Sequence, residues 1–167
     1  MDNRFEDYIK KIERDLRGGK ATEYTYRGTL ELLIESMAKG IQASNDPKHI
    51  AVGAPDFIVE RRKVPLGYVE TKDVGTDLDA VEKSDQMKRY LRGLHNLILT
   101  DYVEFRWYVN GVKRLSTHLA TKTSTERLVL NPLGAQVMEE MWQEFLTAET
   151  PIITMPNPCA SAASAAF

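Results

Sequence analysis

At 167 residues the chain is the size of one ordinary domain, long enough to bury a real core. Its 43% hydrophobic and 28% charged residues are the proportions of a soluble globular protein, and no apolar run approaches the roughly 20 residues that cross a bilayer. A net charge of −2 argues against a protein that coats nucleic acid through bulk charge, but leaves room for a DNA enzyme with a local basic rim.

The N-terminal "MDNRFEDYIKKIERDL" is charged throughout and lacks the apolar stretch of a signal peptide. Within it Phe5, Tyr8, Ile9, Ile12 and Leu16 repeat at helical spacing, which predicts a helix over residues 2–17 ended by Gly18-Gly19. "TYRGTLELLIESMAKG" predicts a second helix, with Thr25 as N-cap, Leu30, Leu33, Ile34 and Met37 as the buried stripe, and Gly40 as the stop. "ASNDPKH" reads as a turn. Two strands are then expected, Asp56–Glu60 and Leu66–Val74, joined by the charged turn "RRKVP". From Ser84 the spacing of Met87, Tyr90, Leu91 and Leu94 is helical. "NLILT" is a short, continuously apolar strand of the kind covered on both faces of a sheet. "VEFRWYV" and "VKRLSTHLA" flank Asn110-Gly111, a strong hairpin signal, with Phe105 and Trp107 expected in the core. "NPLGAQVMEEMWQEFLT" is a last amphipathic helix. The expected organisation is one α/β domain over residues 1–147 with a mixed sheet, followed by a linker or tail at 148–167. The lone cysteine, Cys159, falls in that tail, so no disulfide framework or cysteine zinc site is possible and the cytoplasm is the expected compartment.

The stretch "GAPDFIVERRKVPLGYVETKD" carries the chemistry. Alternation sets Asp56, Ile58 and Glu60 on one face of its first strand, and Tyr68, Glu70 and Lys72 on one face of its second. A hairpin centred on Lys63 places Asp56 across from Glu70, with Cβ atoms about 5 Å apart. Two carboxylates that close repel each other unless a cation joins them. Asp56, Glu70 and the backbone carbonyl of Thr71 form an oxygen-only set that suits Mg²⁺, with Mn²⁺ able to substitute. Lys72 points to the same side, where its ammonium could hold the attacking water and stabilise charge on a scissile phosphate. The bland alternative, a solvated hairpin with charges on it, stays open at this point.

Flanking elements add candidates. Glu31 and Glu35 lie one helical turn apart, and Glu31, nearer the apolar stripe, is the better extra metal ligand of the two. A solvent-exposed helix acid is the competing reading for each, and the favoured one for Glu35. Gln86 and Tyr90 are also one turn apart; Gln86 could orient a water or phosphate, while Tyr90 could simply be core. Lys88, Arg89 and Arg92, with Arg61-Arg62-Lys63, are the local basic clusters for DNA, or ordinary solvated faces. The histidines are scattered, and no glycine-rich phosphate loop occurs.

In their order, Glu31, Pro55-Asp56, Glu70-x-Lys72 and Gln86-x-x-x-Tyr90 resemble the PD-(D/E)xK nuclease superfamily, the last element resembling the Gln-x-x-x-Tyr motif of its helicase-associated members. More closely, "YTYRGTLELLIESM", "GAPDFIVERR", "GYVETKDVGTDLD" and "EKSDQMKRYLRGLHNLILTDYVEFRWYVNG" resemble the N-terminal endonuclease domain of single-polypeptide restriction–modification enzymes, of type I single-polypeptide or type IIG-like kind, over residues 20–120. The resemblance implies a restriction-endonuclease-like mixed central sheet flanked by helices. It implies Asp56 and Glu70 as metal ligands, Lys72 as the catalytic lysine, Gln86 and Tyr90 in support and Glu31 as a possible further ligand. Double-stranded DNA would be the substrate, translocase and methyltransferase domains would belong to the same polypeptide, and two copies could meet on DNA to cut both strands. The alternative is a non-catalytic DNA-binding or docking module on the same scaffold.

Overall fold

The computed structural model describes residues 3–19, 21, 23–45, 50–125 and 127–148. Helices α1 (Arg4–Arg17) and α2 (Glu23–Ser36) precede strand β1 (Ile41–Asn45) and the hairpin β2 (Phe57–Arg61) and β3 (Val64–Thr71). Helices α3 (Leu78–Glu82) and α4 (Asp85–Gly93) then lead to β4 (Asn96–Thr100), β5 (Glu104–Val109) and β6 (Val112–His118). A small ribbon, β7 (Ala120–Lys122) and β8 (Leu128–Leu130), precedes the last helix, α5 (Pro132–Thr147). No described helix is long and apolar enough to cross a membrane. Of the tail expected at 148–167, residues 149–167 lie outside the described residues.

Strands β1 to β6 form one sheet in chain order. β3 and β4 run parallel, and the other neighbouring pairs are antiparallel, so the expected mixed α/β sheet flanked by helices is the fold observed. A parallel pair needs a crossover, which α3 and α4 supply. Every residue of β4 is buried, as a continuously apolar strand covered on both faces should be. Ile98, Phe57, Val59, Val69, Phe105 and Trp107 pack with α1, α2 and α5, whereas Leu97, Leu99 and Tyr108 pack with Leu78 of α3 and with Met87 and Tyr90 of α4.

The two ends of "NLILT", Asn96 and Thr100, are buried polar residues that depart from the apolar reading. Asn96 is buried and donates through Nδ2 to the carbonyls of Leu66 (2.8 Å) and Phe145 (2.9 Å), while its Oδ1 accepts from Trp107 Nε1 at 2.6 Å. One amide thereby ties β3, β4, β5 and α5 together. Asn96→Ala would leave the Trp107 indole N–H buried without an acceptor, and should cost about 3 kcal/mol in urea unfolding.

Several expectations shift. Thr25 lies inside α2, whose first residue is Glu23, so it is not the N-cap. "ASN" forms the end of β1 rather than a turn; its polar residues and short length hid an edge strand. The edge is guarded by Glu35, whose Oε1 accepts the Ala43 N–H at 3.1 Å, so this acid is more than a solvated helix side chain. The five-residue α3 was unmarked by periodicity and is recognisable only by Asp77, which caps it by accepting from the Asp79 and Ala80 amides. The hairpin turn is shorter than "RRKVP". Arg62 and Lys63 alone make it, with φ of 51° and 65°, the doubly left-handed backbone of a two-residue hairpin turn.

Candidate active site

Where the β2–β3 hairpin opens, away from its turn, Phe57 pairs with Val69. One further step of the same register sets Asp56 opposite Glu70, as strand parity predicts. A bulge at Val59/Glu60 reconciles that register with the two-residue turn. Thr71, the last residue of β3 and the neighbour of Glu70, donates both its amide and its hydroxyl to Asp56 Oδ2 at 2.7 Å each. The Lys72 amide donates to the Thr100 carbonyl at 2.8 Å, which extends the parallel pairing with β4 and fixes where the lysine leaves the sheet.

Glu70 is 3% exposed. Its Oε1 accepts from Lys72 Nζ at 2.6 Å, while its Oε2 is buried with no hydrogen-bond partner. Burial raises its pKa, and the neighbouring Asp56 charge adds to that; Lys72 opposes both, and the result is about 6. A buried carboxylate oxygen without a donor is costly unless a cation meets it. Asp56 and Glu70 offer oxygen donors only, which fits a hard divalent ion such as Mg²⁺, with the Thr71 carbonyl adjacent in sequence.

From α4, Gln86 Nε2 donates to the Tyr90 hydroxyl at 3.3 Å. Tyr90 is buried and its hydroxyl pKa is raised, chiefly by burial and further by the Glu70 and Asp56 charges, against the Gln86 hydrogen bond and Lys72, which lower it. A Cβ on Gly53 would come within 3.2 Å of the Tyr90 hydroxyl, and Gly53 has a φ of +133°, so only glycine lets the loop before Pro55-Asp56 close over this tyrosine. The structure thus joins Asp56 to Thr71 and Glu70 to Lys72 by hydrogen bonds at the end of the hairpin, and pairs Gln86 with Tyr90, whose hydroxyl feels the Asp56 and Glu70 charges. Glu31 is a half-buried residue of α2, one helical turn beyond Arg27, and among the described residues no three acidic, histidine or cysteine side chains form a group that could hold a metal ion.

Arg27 on α2 was not foreseen. Its Nη2 donates to Asp56 Oδ1 at 2.5 Å and its Nη1 to Asn45 Oδ1 at 3.4 Å. No local pattern marks a contact across so many residues. Lys88, Arg89 and Arg92 are exposed on α4, and Lys88 and Arg92 border an open cavity of about 830 Å³ together with Tyr68 and His95.

No protein-family model matches the chain, and no curated protein matches it. Among solved structures, the fold is similar to a chain in the cryo-EM structure of a DrdV–DNA complex, with a TM-score of 0.67 and 20% identity over 89% of this chain. The likeness is one of fold. The matching part is 14% of that chain, so the chain described here spans about a seventh of its neighbour's length.

The raised pKa of Glu70 has a measurable consequence. Between about 4.5 and about 6 the native state holds a proton that the unfolded chain has lost. Stability therefore falls as pH rises through that window, by about 2 kcal/mol in total from this group. Comparing urea midpoints of the wild type and Glu70→Gln at pH values across the window checks it, because the glutamine variant should lack that slope.

Proposed function

We propose that the chain acts as a Mg²⁺-dependent DNA endonuclease domain that hydrolyses phosphodiester bonds, of the kind that serves in restriction–modification. The observation that carries this reading is the meeting of Asp56, Glu70 and Lys72 at the open end of one hairpin, with a Glu70 oxygen buried and unmatched. Asp56, Glu70 and the Thr71 carbonyl would hold the metal. A bound divalent ion supplies Lewis acidity toward a phosphate oxygen and lowers the pKa of water. The chain's own residues do the rest. Lys72, paired with Glu70, is placed to orient the attacking water and to meet negative charge growing on the phosphate. Gln86, held to Tyr90, offers its amide as a further donor or acceptor at the rim. Lys88, Arg89 and Arg92 would take DNA phosphates from the exposed face of α4.

The likeness to a protein captured with DNA supports DNA as the partner, and its much greater length is in keeping with further domains that recognise and move the substrate. Little grip on DNA is expected from a chain of net charge −2 acting alone, and cutting both strands would take two copies on one duplex. The deciding experiment is nicking of supercoiled plasmid with Mg²⁺ or Mn²⁺. Cleavage that chelation abolishes supports the reading. A non-catalytic DNA-binding module is the second reading, favoured by the full set of protein donors already on Asp56. Salt-sensitive DNA affinity without any nicking would select it.

A further inference from the structure

The two carboxylates of the site are not equally available. Glu70 keeps one oxygen free of protein donors, whereas both oxygens of Asp56 are engaged, Oδ2 by Thr71 and Oδ1 by the Arg27 guanidinium. The Arg27–Asp56 pair is well enclosed, with side chains only 12% and 15% exposed. Arg27 therefore already supplies a positive charge to one of the two acids a metal would need.

The surroundings of Arg27 leave it a second place to go. Its guanidinium carbon lies 5.7 Å from the ring centroid of Tyr24, a residue 71% exposed, so the group sits between the acidic pair and the outer surface. Next to it on α2, a Cβ on Gly28 would meet nothing within 4 Å, which leaves open space along that stretch of the helix. A planar guanidinium fork recognises phosphate at least as well as carboxylate.

Resting on the nuclease reading above, we propose that Arg27 is an internal counter-cation that competes with the divalent metal for Asp56 and releases it when a DNA phosphate offers the guanidinium another anion. Metal and DNA would then strengthen each other's binding, since coupling between two ligands is reciprocal. In the absence of DNA the site would hold metal weakly. Arg27 is on this account a positioning residue: it acts on the reaction through Asp56.

The test is Mn²⁺ titration at neutral pH, read by the paramagnetic resonance of the free ion, with wild type, Arg27→Met and Arg27→Lys, each with and without a short non-cleavable DNA duplex. The duplex alone is titrated as the blank. Without DNA, Arg27→Met should bind Mn²⁺ about tenfold tighter than wild type, while Arg27→Lys, which keeps the charge, should stay within about threefold of it. Adding the duplex should tighten the wild type by a similar factor and leave Arg27→Met nearly unchanged. A merely structural role for Arg27 would move both variants together, and that result overturns the proposal, as does an Arg27→Met affinity no tighter than wild type. If thermal melts show Arg27→Met unfolded, Arg27→Gln carries the same comparison, with a neutral donor retained. Absence of Mn²⁺ binding in every protein, with DNA or without, would instead sink the metal-dependent reading on which the proposal stands.

Discussion

Lys72→Ala should abolish metal-dependent nicking, with a loss of at least about a thousandfold, the upper end of what one preorganised charge contributes to a transition state. The variant should remain folded, because Lys72 is partly exposed and its removal creates no cavity in the core. Two effects act together. The ammonium that would face the scissile phosphate is gone, and the main influence holding down the Glu70 pKa goes with it. A Glu70 that titrates above about 6 is partly protonated at neutral pH and is a poorer metal ligand. Part of the lost rate should therefore return at higher pH, whereas the part due to the missing charge should not. Lys72→Arg should rescue little, since a planar fork cannot take the place of a compact ammonium 2.6 Å from Glu70. Asp56→Ala should be equally inactive, through lost metal binding. Plasmid nicking over a range of pH, with circular dichroism as the control for folding, reads all three. Wild-type cleavage by Lys72→Ala would remove that lysine from the site.

Arg106→Met is expected to cost about 3 kcal/mol, as much as Asn96→Ala, because it leaves carboxylates without their buried counter-charge. Arg106 is 9% exposed at its side chain and contacts Glu104 Oε1 at 2.6 Å, Asp79 Oδ1 at 2.7 Å and Glu82 Oε1 at 2.8 Å. Burial disfavours its charge, but those carboxylates outweigh burial and hold its pKa well above the ordinary value. Through Asp79 and Glu82 it fastens α3 to β5, and with α3 the loop that follows Lys72. Glu82 also takes hydrogen bonds from Lys113 and the Tyr108 hydroxyl. Burial pushes Glu82 up, yet the bonds from Lys113, Tyr108 and Arg106 prevail and bring it to about 2. A depressed carboxylate contributes stability above its unfolded value of 4.5, and that contribution is lost as pH falls toward 2. Wild type should give up about 3 kcal/mol from Glu82 over that range, and Arg106→Met distinctly less. Urea unfolding at neutral and acid pH measures both figures.

Much of this was legible in the chain. Period-two alternation in "DFIVE" and "GYVETK" put Asp56 and Glu70 each on a defined face of its strand, but their pairing rests on a bulge that no spacing announces. The helical spacing of Met87 and Tyr90 similarly predicted α4 and what it buries. What escaped were contacts without a period. Arg27 meets Asp56 only because α2 packs against β1, the neighbour of β2 in the sheet, and Arg106 looks like any polar residue of an alternating strand until α3 arrives with two acids. Asn96 hid in an apolar run because its partners come from three separate elements.

The bulge at Val59/Glu60 carries a consequence for how the hairpin tolerates changes of length. Between Arg61↔Val64 and Phe57↔Val69 it shifts the pairing by one residue, and the acidic pair depends on that shift. Pairing carried straight on from Arg61↔Val64 with no residue left over would set Asp56 across from Val69 and turn Glu70 to the other face. The residue left over is Leu66, between Pro65 and Gly67 on β3. Deleting Leu66 would remove the bulge and keep Asp56 with Glu70, whereas deleting a residue of β2 would move the acids out of step. The hairpin works as a reading frame in which one supernumerary residue on β3 keeps the two acids in phase.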